Sequence, residues 1–373
     1  GRSLGRRVGE VILTRHPELG SQHSLFDFGA IVAAAALAHD LGNPPFGHAG
    51  EDALGEFFRH QPAGQQYEQQ VTGQQWQDLI KFEGNAQGFR LLTAHQHGLK
   101  LTAATLGAFT KYPCSSHLTG RDKARKSQRK FGFFQTEETY FADIAAACGL
   151  ARNANQSWTR HPLAFLVEAA DDICYSVIDL EDGCSLGLVD YEKAEELLVA
   201  LLGKGKDKLG KLTQLRGTTE KIGYLRALAI GDLIDACAVV YLDQERQVLD
   251  GTFDRALADE CIAKDSLAEI IKLSIDKIYR ARHVVEIEAA GHEVLPGLLE
   301  LFIGAGEHLR QPGGSRKFGN LAQLLPPEVA SGIADKPMDT YLMLRSIVDF
   351  VSGLTDRRAI SLYRQLKGFA RLG

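Results

Sequence analysis

Hydrophobic residues recur along this chain at the three- and four-residue spacing of α-helices. Successive short runs of alternating β-branched residues, which are typical of strands, are absent from the sequence. The spacing therefore predicts an all-α fold. The predicted helices span residues 4–15, 26–41, 47–59, 86–95, 101–110, 137–150, 162–182, 190–202, 219–242, 252–260, 265–284, 296–309, 326–332 and 337–370, the last with a break near Gly353.

Three polar stretches interrupt this helical pattern. The glutamine-rich segment 61–78 and the polar segment 113–130 predict long loops. The glycine-rich segment 311–320 predicts a basic turn between two helices.

Composition narrows the class of protein. With 373 residues, 45% of them hydrophobic and 24% charged, the chain has the proportions of a soluble globular protein. A formal net charge of -5 argues against binding nucleic acid or an anionic membrane by bulk charge, although a local basic patch remains compatible with it. The longest apolar run, 30–38, is far shorter than the roughly 20 residues that cross a bilayer, so no membrane span is expected.

The N-terminus bears on the extent of the chain, and the cysteines bear on its redox environment. The chain opens with Gly1 and shows helical spacing within its first residues, so we expect further residues upstream of this numbering. The six cysteines form no CxxC pair, which predicts reduced thiols in a cytoplasmic protein.

The most informative chemistry lies where an alanine-rich helix ends. His39 and Asp40 close that helix, because Gly42 favours a C-terminal stop and the prolines at 44–45 prevent continuation. Burying a His-Asp pair is costly unless a partner offsets it, and a divalent metal is a natural partner. The alternative is an exposed pair at a helix terminus, which is the usual meaning of an isolated His-Asp dipeptide.

A second helix begins near Gly47 and carries His48 and Glu51 on one face, three residues apart. Two helix ends therefore bring His39, Asp40, His48 and Glu51 into one small volume. This combination favours a metal site over an exposed pair.

Further acidic residues lie in the apolar helix predicted at 162–182. Asp171, Tyr175 and Asp179 follow one stripe at i, i+4 and i+8. Aspartate is unfavourable inside a helix, so these side chains require partners, and Asp171 is a candidate metal ligand. A partly exposed acidic face is the alternative interpretation.

Six segments together resemble one family in the same order along nearly the whole chain. The segments are HDLGNPPFGHAGE (39–51), FEGNAQGFRLLT (82–93), LTAATLGAFTKYP (101–113), KFGFFQTE (130–137), HPLAFLVEAADDICYSVIDLEDG (161–183) and DFVSGLTDRRAISLY (349–363). They resemble the corresponding segments of the bacterial deoxyguanosinetriphosphate triphosphohydrolases, or dGTPases, of the HD superfamily.

The resemblance implies a divalent metal, with Mn or Mg first and Fe, Co or Ni as further choices. In the family pattern H…HD…D, His39, Asp40 and Asp171 take the last three places, and the first His is expected upstream of residue 1. His23 is no substitute, because the intervening helix would place it about 20 Å from the site.

The resemblance also implies hydrolysis of dGTP, or of dNTPs more broadly, to the deoxynucleoside and inorganic tripolyphosphate. His48 would act as general acid or base, with Glu51 orienting it. By resemblance, Tyr175 and Asp179 would hold the deoxyribose.

Three further residues are assigned to the triphosphate by resemblance. Lys111 and Lys130 would supply positive charge, and Asn85 a polar contact. Ordinary surface lysines and a turn asparagine are the alternative interpretation.

In domain terms the resemblance implies an HD-domain helical bundle with a C-terminal helical extension. We expect the metal and nucleotide site in residues 1–185, and an extension at 186–373 that completes the pocket and the surfaces of a homo-oligomer.

Two other functions stay open. One is an HD phosphohydrolase acting on another nucleotide, such as a broad dNTP set, a nucleoside monophosphate or an alarmone. The other is a non-catalytic nucleic-acid-binding protein.

The basic run 121–130, with six Lys/Arg against one Asp, is either a solvated loop or a phosphate-binding or strand-binding surface. Single-stranded DNA could regulate the enzyme there through Arg125, Lys126 and Arg129.

Overall fold

The all-α prediction is confirmed by the computed structural model, which describes residues 1–94, 99–312, 315–334 and 339–369. Within these ranges no strand forms, and the extended pairings are isolated bridges, Ser115 with Phe133 and Arg152 with Trp158. No helix in the same ranges is long and apolar enough to cross a membrane.

The helices of the first half lie on either side of the His-Asp turn. They are α1 (Arg2–Arg15), α2 (Leu25–Ala38), α3 (Gly47–His60), α4 (Pro62–Gln65), α5 (Gly73–Ile80), α6 (Gly84–Thr93), α7 (Ala103–Phe109), α8 (Glu138–Ala147) and α9 (Ala164–Ser185). Short 3-10 turns occur at Pro17–Ser21, Glu68–Gln70, Lys126–Gln128 and Gln135–Glu137.

The second half is built the same way. Its helices are α10 (Tyr191–Ala200), α11 (Thr218–Asp243), α12 (Glu245–Leu249), α13 (Lys264–Ser274), α14 (Arg282–Arg310), α15 (Arg316–Ala322), α16 (Pro327–Ala334), α17 (Thr340–Ser352) and α18 (Asp356–Leu366). A 3-10 segment covers Lys204–Gln214, and a π-helical turn covers Ile275–Tyr279. The break expected near Gly353 is confirmed between α17 and α18.

The loop prediction for 61–78 is wrong over most of its length. Pro62 occupies the first turn of α4, where its missing N–H costs nothing. Thr72 and Gln75 form a capping box that starts α5, whose Trp76 and Leu79 are buried. Buried apolar side chains therefore outweigh the polar composition.

The helix predicted at 252–260 is also wrong, since the stretch consists of turns and bends. Its four-residue apolar spacing arises because Phe253, Leu257 and Cys261 are buried in the core. Asp254 instead binds the basic loop: its carbonyl oxygen accepts from the Lys126 N–H at 3.2 Å and its carboxylate from the backbone N–H of Ser127 at 2.9 Å.

The prediction that a helix starts at residue 296 is wrong. Helix α14 begins at Arg282 and contains Pro296, because the surrounding turns are held by buried residues such as Leu295 and Leu298. The predicted helix 265–284 is divided by the π-helical turn.

Parts of several predicted segments lie outside the described residues. These parts are position 95, positions 313–314 of the predicted basic turn, and positions 337–338 and 370 of the last predicted helix. Ser315 caps α15, so the C-terminal part of the predicted turn is helical.

Two large hydrophobic cores organise the described residues. The first draws on residues 4–35 and 89–270, the second on 46–82 and 294–363. The turn between α2 and α3 is where the chain passes from the first core to the second. The expected division at residue 185 stays a prediction, and the cores follow a different boundary.

Candidate active site

His39 occupies the C-cap of α2, directly after Ala38. Its Nδ1 donates to the carbonyl oxygen of Ala36 at 2.7 Å, which fixes the ring. Nε2 then faces Asp40 Oδ2 at 2.9 Å and Asp171 Oδ1 at 3.2 Å. The hydrogen bonds to Asp171 and Asp40 raise the pKa of His39 to about 10.

Asp171 projects from α9 towards this helix end. Its second oxygen, Oδ2, accepts from Lys111 Nζ at 2.5 Å. Burial alone would raise the pKa of Asp171, but the hydrogen bond from His39 and the charge of Lys111 lower it to about 2. Lys111 is buried, and its ion pair with Asp171 holds its ammonium group at the site.

These donors suit a divalent metal. Imidazole nitrogen and carboxylate oxygen are ligands of first-row divalent ions, and a His whose other nitrogen bonds a carbonyl is oriented for coordination. In the structure the three side chains form ion pairs with one another instead. In that closed arrangement, the described ranges contain no ready-made group of three or more His, Cys, Asp or Glu ligands. His39 Nε2 lies between the carboxylates of Asp40 and Asp171, and these three side chains are the ones that would hold a cation.

The predicted stripe of α9 is brought together with the His-Asp turn. One cavity of about 290 Å³ is lined by His39, Asp40, Asp171, Tyr175 and Asp179. The first metal-binding His that the resemblance implies falls outside this sequence and stays a prediction.

Tyr279, which the sequence did not reveal, contacts two of the residues that line this cavity. Its ring stacks on Tyr175 with centroids 5.4 Å apart, and its hydroxyl donates to the carboxylate of Asp179. Burial raises the pKa of Asp179, and the bond from Tyr279 opposes that shift. Tyr279 lies 100 residues away along the chain, in the π-helical turn, and such turns are frequent at functional sites.

His48 and Glu51 form the second predicted pair. His48 Nδ1 donates to Glu51 Oε2 at 2.7 Å, while Glu51 Oε1 accepts from the backbone N–H of Gly84 at 2.6 Å. The side chain of His48 is 82% exposed and that of Glu51 only 10%. The hydrogen bond to Glu51 raises the pKa of His48. An open imidazole is thus oriented by an anchored carboxylate, which is the arrangement of a general acid or base.

Lys130 and Asn85 meet at a carboxylate that the sequence analysis overlooked. Lys130 Nζ lies 3.3 Å from Glu83 Oε1 and 3.8 Å from Glu51 Oε2. Asn85 Nδ2 donates to the same oxygen of Glu83 at 2.8 Å. The signal was the position of Glu83 at the N-cap of α6, inside a segment that carries the family resemblance.

A tight backbone contact joins the two halves of the site. A Cβ added at Gly84 would lie 2.4 Å from Asn43 Oδ1 and 2.8 Å from Glu51 Oε1. Asn43 Nδ2 in turn donates to Asp40 Oδ1 at 2.9 Å. Two hydrogen-bonded groups therefore lie side by side, Asp40 with Asn43 and Gly84 with Glu51 and His48, and we call these five residues the polar strip.

Among known proteins, the chain is similar to phosphohydrolases. A protein-family profile described as a phosphohydrolase-associated domain matches residues 260–365. The chain is 40% identical to a deoxyguanosinetriphosphate triphosphohydrolase-like protein of Synechocystis sp., covering 99% of this chain and 84% of the relative. A like-named protein of Pseudomonas aeruginosa is 36% identical, covering 99% and 83%. The deoxyguanosinetriphosphate triphosphohydrolase of Salmonella arizonae is 29% identical, covering 97% and 84%.

Proposed function

Because this chain belongs to the deoxyguanosinetriphosphate triphosphohydrolase family of hydrolases, we propose that it cleaves dGTP, or a wider set of dNTPs, to the deoxynucleoside and inorganic tripolyphosphate. The observation that carries the proposal is the polar strip that joins the His39–Asp40–Asp171 cluster to the His48–Glu51 pair.

The proposed cofactor is a divalent metal, Mn or Mg first and Fe, Co or Ni as further choices. His39, Asp40 and Asp171 would hold it. When bound, such a cation would polarise the α-phosphate and make a nearby water more acidic.

His48 is the proposed proton donor. As water oxygen bonds to the α-phosphorus, the bond from phosphorus to the 5′-oxygen breaks, and that oxygen needs a proton to leave as a neutral nucleoside. The hydrogen bond to Glu51 raises the pKa of His48, which favours the imidazolium form that donates a proton. Its Nδ1 is occupied by Glu51, which leaves Nε2 for the transfer.

Tyr175 and Asp179 are proposed to bind the sugar. The carboxylate of Asp179 now accepts from the Tyr279 hydroxyl, a bond that a 3′-hydroxyl could replace in kind. Lys130 and Asn85 stand beside the catalytic pair, where they could contact the phosphates. Lys111 would act partly through Asp171, to which it is bound.

The direct test is product analysis with each dNTP and each metal. The proposal expects deoxynucleoside and tripolyphosphate, with dGTP among the substrates. A nucleoside monophosphatase would release orthophosphate, and an alarmone hydrolase acting on a diphosphate group would release pyrophosphate. Absence of tripolyphosphate under every metal condition would contradict the proposal.

The remaining proposals concern partners and location. Homo-oligomer formation stays a prediction, to be tested by light scattering. A cytoplasmic location is proposed because all six cysteines are free thiols. Regulation by single-stranded DNA also stays a prediction. The basic run 121–130 has fewer unpaired positive charges than the sequence suggested. Arg125 pairs with Asp254 at 2.7 Å and Lys126 with Asp259 at 3.4 Å.

A further inference from the structure

A second groove, of about 410 Å³, opens beside the catalytic pair between α3, the turn after α5 and the loop at 121–131. We refer to it as the basic groove. Its cationic side chains are those of Arg59, Lys81, Arg121, Lys123, Arg129 and Lys130. Three acidic residues, Glu51, Asp52 and Glu83, line the same space.

Like charges converge in the basic groove. Lys81 Nζ and Arg121 Nη2 both point to the carbonyl oxygen of Ser116, at 3.5 and 3.4 Å. Arg59 Nη2 donates to the carbonyl oxygen of Ile80, the residue before Lys81, at 2.5 Å. Partial burial of its ammonium group lowers the pKa of Lys81, and the charges of Arg121 and Arg59 lower it further. These three cations therefore repel one another.

Acidic residues do not offset this repulsion. In the part of the chain that the structure describes, the ion pairs inside the groove are both made by Lys130, to Glu83 and to Glu51. Backbone carbonyls satisfy the donors of Arg59 and Arg121 but carry no net charge. A solute anion with several charges would supply the missing compensation.

The position of the groove indicates which anion it meets. Lys130 and Glu51 belong both to the groove and to the neighbourhood of His48. We propose that the basic groove binds a linear triphosphate chain, and specifically the inorganic tripolyphosphate released beside it. This inference rests on the proposed function.

The same observations disfavour a nucleic-acid strand. Binding of single strands relies on exposed aromatic rings on which bases stack. The aromatic residues lining the groove, Phe82 and Phe131, are only 7% and 4% exposed. A volume of about 410 Å³ suits a small molecule, since such pockets span about 300–1,000 Å³.

The test is calorimetric titration of the full chain with inorganic tripolyphosphate in EDTA and low salt, where no metal supports hydrolysis. The test variant is Lys81→Gln with Arg129→Gln, two exposed residues outside the proposed catalytic machinery. The matched control is Lys272→Gln with Arg316→Gln, also exposed and away from the groove. We expect the test variant to weaken binding about tenfold and the control less than about twofold.

Equal affinities for tripolyphosphate in the two double variants would overturn the proposal. Unfolding of the test variant, seen by circular dichroism, would move the test to Lys123→Gln alone. Two further titrations separate the ligand sources. If dGTP binding depends on the groove residues and tripolyphosphate binding does not, the groove is a nucleotide site and the proposal fails. It also fails if a deoxythymidine oligonucleotide displaces tripolyphosphate more strongly than a nucleoside triphosphate does.

Activity assays distinguish failure of this inference from failure of the proposed function. In the presence of metal, the test variant should show weaker product inhibition by tripolyphosphate, with an inhibition constant about tenfold higher. A wild-type chain that binds tripolyphosphate in the groove but hydrolyses no dNTP would refute the proposed function and not the binding site. Hydrolysis with product inhibition unchanged by the groove substitutions would refute the product site alone.

Discussion

At the scale of single residues, Glu51 performs two tasks with one carboxylate. One oxygen holds the backbone N–H that begins α6, and the other orients the imidazole of His48. Burial would raise the pKa of Glu51, but the hydrogen bond from His48 and the charge of Lys130 lower it, so the group remains ionised. The ionised carboxylate in turn raises the pKa of His48.

Glu51→Gln tests this coupling. A neutral amide no longer raises the pKa of His48. As the pH rises, His48 should therefore lose its proton at a lower pH in the variant than in the wild-type protein. The alkaline limb of kcat against pH should move to lower pH, and kcat should fall by about 10²-fold. A lower kcat with an unmoved limb would show that Glu51 acts only on structure.

Asp171 and Lys111 form a second coupled pair. Asp171→Asn should abolish tripolyphosphate release and also cost about 1–3 kcal/mol of unfolding free energy, because buried Lys111 loses its countercharge. Adding Lys111→Met should restore stability in urea titrations without restoring activity. Activity in either variant would remove Asp171 from the metal site.

Asp179 is the residue on which sugar selection is expected to depend. Asp179→Ala should raise KM for dGTP, because an acceptor for the 3′-hydroxyl is lost. It should also reduce the preference for dGTP over GTP, because the smaller side chain leaves room beside C2′ for a 2′-hydroxyl. Steady-state kinetics on both nucleotides measure this. Unchanged kinetics would place Asp179 outside the pocket, and Ser185→Ala, at the far end of α9, serves as the control.

At the scale of elements, the start of α6 is packed against the turn between α2 and α3. Glycine is required there because any side chain at position 84 meets Asn43 and Glu51. Phe46, in the same turn, has a left-handed backbone with φ of 68°, and its N–H donates to Asp356 at the start of α18 at 3.0 Å. Helix α3, which carries the proposed catalytic pair, is thus positioned from two sides.

Gly84→Ala should therefore reduce kcat about 10²-fold by displacing Glu51. The control is Gly73→Ala, which also changes the first residue of a helix but has no atom within 4 Å of the added methyl. Far-ultraviolet circular dichroism checks that both variants fold. Equal activity of the two variants would contradict the proposed contact.

The elements were predictable where local chemistry decides them. The prolines and Gly42 mark the end of α2, and the apolar stripe marks α9. The helix at 252–260 failed because burial of Phe253 and Leu257 imitates helical spacing. The candidate site residues on these motifs can be proposed from the sequence alone. The contact of Tyr279 with Asp179 cannot, since only tertiary folding brings the two residues together.

At the scale of the whole molecule, a buried network connects α6 to α17. Asp349 accepts from Arg90 Nε at 2.9 Å and from Gln87 Nε2 at 3.0 Å, and Arg345 Nη2 donates to Gln87 Oε1 at 2.8 Å. Burial would raise the pKa of Asp349, but Arg345 and Arg90 lower it. The stabilisation it provides is therefore present at neutral pH and is lost as pH falls through the lowered pKa.

Asp349→Asn should destabilise the protein by about 3 kcal/mol, because buried Arg345 and partly buried Arg90 lose their shared countercharge. Denaturant unfolding at neutral pH measures this, and the difference from wild type should shrink at acid pH. Asp250→Asn, at an exposed i,i+4 pair, is the control and should have little effect. Equal losses in both variants would contradict the role of the network.

The position of the α2–α3 turn between the two hydrophobic cores has a consequence for inactivation. The proposed metal ligands stand on helices of the first core, and His48 with Glu51 stands on a helix of the second. Melting of either core would separate His48 from the proposed metal ligands. Activity should therefore require both cores to be folded. On heating, we expect activity to be lost at the temperature where the less stable core unfolds.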